Sequence, residues 1–210
     1  MRILFLFFLL ICACDKDKSV FEPLPILETA DPAKVEKALK APAVVIAARK
    51  QIGVTLTYDP AYRKLDYPGG DVAQNTGVCT DVIIRALRVS RELDLQKLVH
   101  EDMKKAFEKY PKIWGLTRPD KNIDHRRVPN LQCYFSRMGF EVKSAFKAKD
   151  FLPGDIVTCL VGNRPHIMLV SNRTLDAVPL VIHNIGQGTK EDNSLLSFKI
   201  TGHYRLHSKE

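Results

Sequence analysis

The sequence predicts an α+β protein in which N-terminal helices pack on a C-terminal antiparallel β-sheet. Before residue 140, apolar residues recur at the spacing of amphipathic helices. After it, short segments rich in β-branched and apolar residues alternate with turn-forming groups. Helices that precede the strands, instead of alternating with them, favour an antiparallel sheet. The 210 residues are enough for one domain with a short N-terminal appendage.

The N-terminus predicts export and lipid attachment. Residues 1–13 place one arginine before an apolar run that is shorter than the about 20 residues needed to span a bilayer, which is typical of a signal peptide. The motif ICAC at residues 11–14 resembles the bacterial lipobox, which implies cleavage before a lipid-modified Cys14. An ordinary signal peptide cut nearby is the alternative. Asp15 resembles an inner-membrane retention signal, so we expect a periplasmic protein anchored to the inner membrane, with residues 14–30 as a tether.

Two helices are predicted in the first half of the remaining chain. Asp31 and Pro32 resemble an N-cap and a first helical residue, and the apolar stripe behind them runs to Gly53 with a kink or break at Pro42. The next helix is expected to begin near Cys79. Its buried side would carry Ile83, Ala86 and Leu87.

Two further helices are predicted between residues 93 and 139. The segment LDLQKLVHEDMKKAFEKY, residues 93–110, places its apolar residues on one face and is followed by a helix-breaking proline. His100 in this helix is expected to be solvated. The segment VPNLQCYFSRMG, residues 128–139, is expected to turn Met138 inward and to end at Gly139.

Five strands are predicted in the C-terminal part of the chain. Each is a short apolar or alternating segment, and turn residues such as Pro-Gly and Gly-Asn separate them. The segments are FEVKSAF, GDIVTCLV, HIMLVS, LVIHNIG and SFKITGHYRL, at residues 140–146, 154–161, 166–171, 180–186 and 197–206.

Three cysteines remain once the signal peptide and lipidation site are set aside. They are Cys79, Cys133 and Cys159, and an odd number in an exported protein implies at least one free thiol. Pairing of Cys133 with Cys159 is left open, because sequence does not reveal their geometry. Such a pair would leave Cys79 free.

Cys79 lies where a turn-rich loop, YPGGDVAQNTGV, meets the start of a predicted helix. A helix N-terminus lowers the pKa of a cysteine and so favours the reactive thiolate. Gly77 would let the chain turn sharply and a substrate approach the backbone. The ordinary alternative is that Cys79 is a small buried apolar residue.

His166 and His183 lie on consecutive predicted strands. On neighbouring antiparallel strands the two rings can lie side by side, so that one acts as a base and the other orients it. The alternative is that each satisfies a local hydrogen bond at a sheet edge. No spacing typical of a zinc site occurs among the cysteines and histidines, so no metal and no cofactor are predicted.

The order YPGGDVAQNTGVCTDV, LPGDIVTCLV, PHIMLV and LVIHNIG resembles the NlpC-type, papain-like cysteine peptidases of bacterial cell walls. The resemblance implies that residues 31–210 form one NlpC-like domain with Cys79 as nucleophile, His166 as base and His183 as its orienting residue. It gives Asp155 the role of shaping a turn. Val78 and the pair Thr80-Asp81 depart from the usual Asp before and Ser-Gly after the cysteine.

A second resemblance covers nearly all of the chain after the tether. The motifs YDPAY, YPGGD, GVCTDVIIRALR, NIDHRRVPNLQ and VIHNIGQG resemble the bacterial family known as domain of unknown function 1287. This resemblance implies a bacterial envelope protein and leaves the chemistry to the catalytic pattern.

The segment NIDHRRVPNL is not explained by the NlpC pattern. Arginine forks suit carboxylates, which peptidoglycan stem peptides carry, so this segment is expected to form part of a substrate groove. The alternative is internal salt bridges that cap the next helix. The predicted substrate-binding residues are Tyr67, Asp81, Asp124, His125, Arg126 and Arg127.

The function predicted from these residues is hydrolysis of an amide bond in peptidoglycan by a cysteine peptidase or amidase. A lipid acyltransferase of the same fold and a non-catalytic, envelope-binding lipoprotein are the alternatives. The formal charge of +8 favours an acidic partner, but no nucleic-acid-binding module is present in the sequence. The expected partners are therefore stem peptides and, through the N-terminal lipid, the membrane.

Overall fold

The computed structural model describes residues 41–206. The predictions for the signal peptide, Cys14, Asp15, the tether and the helix start at Asp31 lie outside these residues. Within them, helices precede a five-stranded sheet whose neighbouring strands are all antiparallel. The predicted α+β class with an antiparallel sheet is thereby confirmed. No helix in this part of the chain is long and apolar enough to cross a membrane.

Within residues 41–206, four α-helices form the first layer. They are α1 (Ala43–Arg49), α2 (Cys79–Arg91), α3 (Leu95–Ala106) and α4 (Val128–Arg137). Pro42 stands at the N-cap of α1, so the predicted break is where this helix begins. The start of α2 at Cys79 is confirmed, and the three apolar residues expected on its buried side are inaccessible to solvent.

Helices α3 and α4 differ from the prediction in three details. The last turn of the predicted third helix, Phe107–Lys109, is a 3₁₀-helix ahead of Pro111. His100 is buried and not solvated, because its ring packs edge-on against Tyr67. Met138 is exposed and not inward-facing, since α4 ends at Arg137 and the chain turns away through Gly139, whose φ is +74°.

A pair of two-residue strands, β1 (Thr57–Tyr58) and β2 (Thr76–Gly77), is parallel and precedes α2 in the chain. The strands of the main sheet are β3 (Ile156–Val161), β4 (Arg164–Leu175), β5 (Val178–Asn184), β6 (Thr189–Asp192) and β7 (Lys199–Tyr204). Their order in the sheet is β6-β5-β4-β3-β7.

The strands of the structure differ from the predicted strands in two places. The predicted strand at residues 140–146 is wrong, because only Glu141 forms a bridge, to Tyr204. Strand β6 was missed. Its four residues, TKED, are polar and carry no apolar pattern, and they become a strand by pairing with β5.

Both faces of the sheet are buried. Ile167, Leu169 and Ile182 pack in the core that the helices share, whereas Met168 and Val170 pack in a second cluster with Phe151 and Leu195. Strand β4 therefore appears in the sequence as a continuous apolar run, as expected for a strand that is covered on both sides.

Candidate active site

The loop before Cys79 is held in place by Arg85 of α2. The Arg85 guanidinium forms an ion pair with Asp71 at 2.9 Å and donates a hydrogen bond to Thr55 Oγ1 at 2.9 Å. It also donates to several backbone carbonyls of the loop, those of Val72, Ala73, Gln74 and Thr76. The helix that begins at Cys79 thus fixes the loop that leads into it.

Gly77 is required for space and not for a turn. It pairs with Tyr58 between β2 and β1, so the sharp turn expected there is absent. A Cβ atom at Gly77 would lie 3.2 Å from Asp81 Oδ2 and 3.3 Å from Arg85 Nη1. The Gly77 carbonyl accepts a hydrogen bond from Asn184 Nδ2 at 3.0 Å, which ties the residues before the cysteine to the end of β5.

Cys79 is the first residue of α2, and it is 3% exposed. The Tyr58 hydroxyl and the backbone N–H groups of Ile167 and Thr80 lie close enough to its sulfur to favour the thiolate form. Together with Tyr58, Trp114 and Pro165, it lines a cleft of about 430 Å³. The sulfur is therefore packed against strand β4 at the wall of a cavity that a ligand can enter.

The thiol of Cys79 is less acidic than the sequence predicted. Burial raises its pKa to about 11, and this effect exceeds the opposing influence of the Ile167 N–H, the Tyr58 hydroxyl and the Thr80 N–H. The prediction of a lowered pKa at the helix start is therefore wrong for the site in this state. Removing a thiolate from water costs more free energy than the positive end of the helix dipole contributes to stabilising it.

The two predicted histidines are in direct contact. His166 Nε2 lies 2.8 Å from His183 Nδ1, and the ring planes meet at 70°. His183 Nε2 lies 3.2 Å from Asp192 Oδ1. Because Leu169 pairs with Ile182 and His183 pairs with Lys190, the three side chains are diagonal neighbours on one face of β4, β5 and β6.

The carboxylate of Asp192 sets the direction of this hydrogen-bond chain. An ionised carboxylate only accepts, so a neutral His183 carries its proton on Nε2 and presents a lone pair at Nδ1. That lone pair requires a proton on His166 Nε2. The lone pair of His166 is then at Nδ1, the atom from which a base would act.

Both imidazoles are neutral at physiological pH. Burial lowers the pKa of His166 to about 3, and the neighbouring His183 lowers it further. Burial also lowers the pKa of His183, although Asp192 opposes the shift. The site therefore rests as a neutral thiol with a neutral imidazole pair.

The sulfur and the His166 ring are not in contact. Ile167 packs with Cys79 in the core that the helices share, whereas His166 alternates to the other face of β4, the face of Met168 and of its strand partner Cys159. Among residues 41–206, the polar partner of the His166 ring is His183, and no hydrogen bond joins Cys79 to His166. Active-site hydrogen bonds are often loose before substrate binds and tighten in the complex.

Asp81 and Arg126, both predicted to bind substrate, form a buried ion pair with each other. Arg126 Nε and Nη2 lie 3.0 and 2.9 Å from the two Asp81 oxygens. Arg126 also donates to the carbonyls of Asp59 and Ala61, so four hydrogen bonds engage a guanidinium that has five donors. Asp81 in turn accepts from the Val78 N–H at 2.7 Å, which caps α2.

The other predicted residues of this segment are divided between the protein interior and the cleft. Asp124 is buried and accepts from Arg127 at 3.2 Å, the internal salt bridge that was the alternative interpretation. The Arg127 guanidinium also stacks on Trp114 at 4.2 Å, and both line the cleft. His125 is buried, and burial lowers its pKa to about 4. Their role in substrate binding stays a prediction.

Tyr67 lies apart from the cleft. Its ring contacts His100, with centroids 5.2 Å apart, and Lys121 Nζ lies 5.4 Å from its centre. Its predicted contact with substrate also stays a prediction.

Asp155 shapes the turn into β3 and anchors β7. It accepts from the Leu152 N–H at 2.8 Å, from His203 Nε2 at 2.7 Å and from Arg205. Cys79, Cys133 and Cys159 are all free. Within the described residues, no group of three or more histidine, cysteine, aspartate and glutamate side chains is arranged to hold a metal ion.

Two site residues were missed from the sequence. Tyr58 lies in a strand of two residues, too short for any periodic pattern, and Asp192 lies in the polar strand β6. The one indication of Asp192 was the histidine pair itself, because two neutral imidazoles in series need an acceptor at one end to fix their tautomers.

Comparison with known proteins identifies the family. The family described as domain of unknown function (DUF1287) matches residues 45–206, which span every residue of the site. The chain belongs to the DUF1287 family. It is also similar to the uncharacterized protein YijF of Escherichia coli (strain K12), with 54% identity over 169 residues that cover 80% of this chain and 82% of that protein. The Cys79 cleft and the hydrogen-bonded histidine pair are thus features of a DUF1287 domain.

Proposed function

We propose that this DUF1287 protein is a cysteine hydrolase of the cell envelope that cleaves an amide bond in peptidoglycan. The observation that carries the proposal is the hydrogen-bonded chain His166–His183–Asp192, which begins on β4, the strand against which Cys79 packs at the start of α2. A histidine pair that ends on an acceptor directs the His166 lone pair to Nδ1. This arrangement supports a papain-like, NlpC-type fold with Cys79 as nucleophile and His166 as base.

In the proposed reaction, His166 Nδ1 takes the thiol proton while the sulfur attacks the carbonyl carbon of the substrate amide. The carbonyl oxygen becomes an oxyanion, and the free backbone N–H groups at the start of α2 and the Tyr58 hydroxyl are its proposed donors. The imidazolium then protonates the leaving amine as the C–N bond breaks. Water hydrolyses the resulting thioester and restores the thiol.

Because the thiol and the imidazole are both neutral at rest, proton transfer has to accompany the attack. Because His166 projects from the face of β4 opposite to Ile167 and Cys79, the proposal requires the start of β4 to turn the His166 ring toward the cleft when a substrate binds. In the same proposal, the N-terminal lipid on Cys14 anchors the enzyme to the inner membrane, with its site facing the periplasm.

The experiment compares purified mature protein with its Cys79→Ala and Cys133→Ala variants on isolated sacculi. The released fragments are identified by mass. Wild type and Cys133→Ala should release the same fragments, since Cys133 lies on α4 and donates only to the Lys109 carbonyl. Cys79→Ala should keep the fold and release none. Release by the Cys79 variant would refute the mechanism.

The burial of Cys79 favours a second candidate, a non-catalytic envelope-binding lipoprotein. A sulfur that stays buried and protonated contributes packing and no chemistry. In that case wild type would bind sacculi and release nothing, and Cys79→Ala would bind them equally well.

A further inference from the structure

A second cavity, of about 500 Å³, opens beside the Cys79 cleft. Both cavities are walled by the same two chain segments, residues 58–62 and 113–129. Tyr62 connects the two segments, because its hydroxyl donates to Asp120 at 3.1 Å and accepts from Asn122 at 2.9 Å. An extended ligand that follows these segments from the cleft therefore reaches the second cavity.

The second cavity carries unbalanced positive charge. Arg118 and Lys121 line it, and within residues 41–206 neither takes part in an ion pair. Asp120 is the acidic residue of the lining, and among the described residues its carboxylate accepts hydrogen bonds only from the neutral Tyr62 and Asn122, so it keeps its charge. Two cations and one carboxylate leave the lining with one net positive charge, and neither cation lies within ion-pair distance of that carboxylate.

His100 supplies the second observation. It is 8% exposed and lines the cavity, and its Nδ1 is buried without a hydrogen-bond partner among the described residues. That nitrogen is inaccessible in this state, so the ring faces the cavity through its other atoms and can report on what binds there. Burial lowers the pKa of His100, and the charges of Lys104 and Lys121 lower it further, while those of Asp120 and Glu101 oppose the shift, so charges of both signs lie near the ring.

We propose that the second cavity is a subsite for a carboxylate group of the peptide whose amide is cleaved at Cys79. The subsite rests on the proposed function, since that function supplies a peptide with free carboxylates beyond the scissile bond. The Arg118 guanidinium and the Lys121 ammonium would hold the carboxylate. Arg118 would thus bind the carboxylate that the sequence assigned to Arg126, because the Arg126 guanidinium already donates to Asp81 and to two backbone carbonyls.

The test measures binding in the Cys79→Ala protein, so that no turnover intervenes. The Cε1–H resonance of His100 is followed by NMR during titration with N-acetyl-alanyl-glutamate, with its diamide and with inorganic phosphate. The dicarboxylate should shift the resonance saturably, and the diamide should not. Arg118→Gln/Lys121→Gln should weaken binding at least tenfold, whereas Lys143→Gln/Lys149→Gln, the same charge change on exposed residues that line neither cavity, should leave it unchanged.

Equal binding of the diamide, or phosphate binding as tight as that of the dicarboxylate, would overturn the assignment to a peptide carboxylate. So would undiminished binding in the Arg118/Lys121 double variant. Failure of the subsite is distinguishable from failure of the proposed function. If the wild type and the Arg118/Lys121 double variant cleave sacculi equally well, the protein is a hydrolase but has no such subsite. If neither cleaves sacculi and the double substitution still abolishes carboxylate binding, the subsite exists but the proposed hydrolase function is wrong.

Discussion

Replacement of Arg126 by alanine should destabilise the fold strongly. The Arg126 and Asp81 side chains are 2% and 4% exposed, so water neither screens the pair nor rehydrates a lone carboxylate. Without the guanidinium, Asp81 keeps one bond, from the Val78 N–H, and the Asp59 and Ala61 carbonyls lose their donors. Breaking a buried ion pair from one side costs about 3–5 kcal/mol. We expect a loss of this size in the free energy of unfolding.

The assay is urea unfolding of the mature protein, followed by fluorescence and circular dichroism. Trp114 is the sole tryptophan of the chain and lines the cleft, so its emission reports on the site. The midpoint should fall while the m-value stays constant, because a constant slope means that the native and unfolded states keep their exposed areas. Lys97→Gln, in a half-exposed pair with Glu101 at 3.9 Å, is the control and should show no measurable change.

A double variant separates lost pairing from lost volume. Asp81→Asn/Arg126→Met removes both charges and leaves an apolar chain of similar length, so it should be more stable than Arg126→Ala. If Arg126→Ala loses less than about 1 kcal/mol, well below the cost of breaking a buried pair, the structural role assigned to this arginine is wrong. If Arg126→Ala instead loses stem-peptide binding while its stability is unchanged, Arg126 belongs to the substrate groove.

Three further predictions concern titration and the histidine chain. The unfolded chain protonates histidine near pH 6.5, whereas buried His125 does so only near pH 4. His125 should therefore contribute about 1.4 kcal/mol per pH unit to the fall in stability as the pH drops through that window, and His125→Gln should reduce the slope by this amount in urea unfolding at successive pH values. The contribution of His166, whose pKa is also lowered, to about 3, should remain. In Cys133→Ala protein, the alkylation rate of Cys79 by iodoacetamide should still be rising at pH 10, because its pKa is about 11; a plateau near pH 7 would show a lowered pKa. Asp192→Asn should lower kcat on sacculi at least about tenfold, because the tautomers of His183 and His166 are then no longer fixed. Lys190→Gln removes only the ammonium group that pairs with the Asp192 carboxylate, so it should lower kcat less.

Patterns with a local cause were predictable from the sequence. The helix start at Cys79 is marked by a turn-rich loop and an apolar helical stripe, and the strands around His166 and His183 by apolar runs between turns. Strand β6 has no such mark, because pairing with β5 makes it a strand. Residues 140–146 alternate like a strand, yet the chain there meets β7 at a single bridge. Register between distant segments decides both cases, and periodicity does not encode it.

The pKa of Cys79 shows why the protonation state of this thiol could not be predicted from the sequence. The helix start was visible in the sequence, and its effect on a partly buried charge reaches at most about 2 kcal/mol. Burial was not visible, and transfer of an unpaired charge out of water costs several times more. The larger effect therefore decides the protonation state, and it depends on the core around the sulfur, where Ile167 and Ile182 come from segments far from the cysteine in sequence.

The same balance determines what the histidine chain contributes. In a site that holds a neutral thiol and a neutral imidazole, a base is useful only if its lone pair points to the thiol when substrate arrives. In the proposed mechanism, the acceptor-only carboxylate of Asp192 fixes the His166 lone pair at Nδ1 through two rings, without contacting His166 itself. A carboxylate in direct contact with His166 would stabilise the imidazolium more, but it would also oppose the negative charge that develops on sulfur. The intervening His183 would thus fix the tautomer and keep the charge at a distance, as the proposal requires of a buried nucleophile whose proton leaves only as the bond to carbon forms.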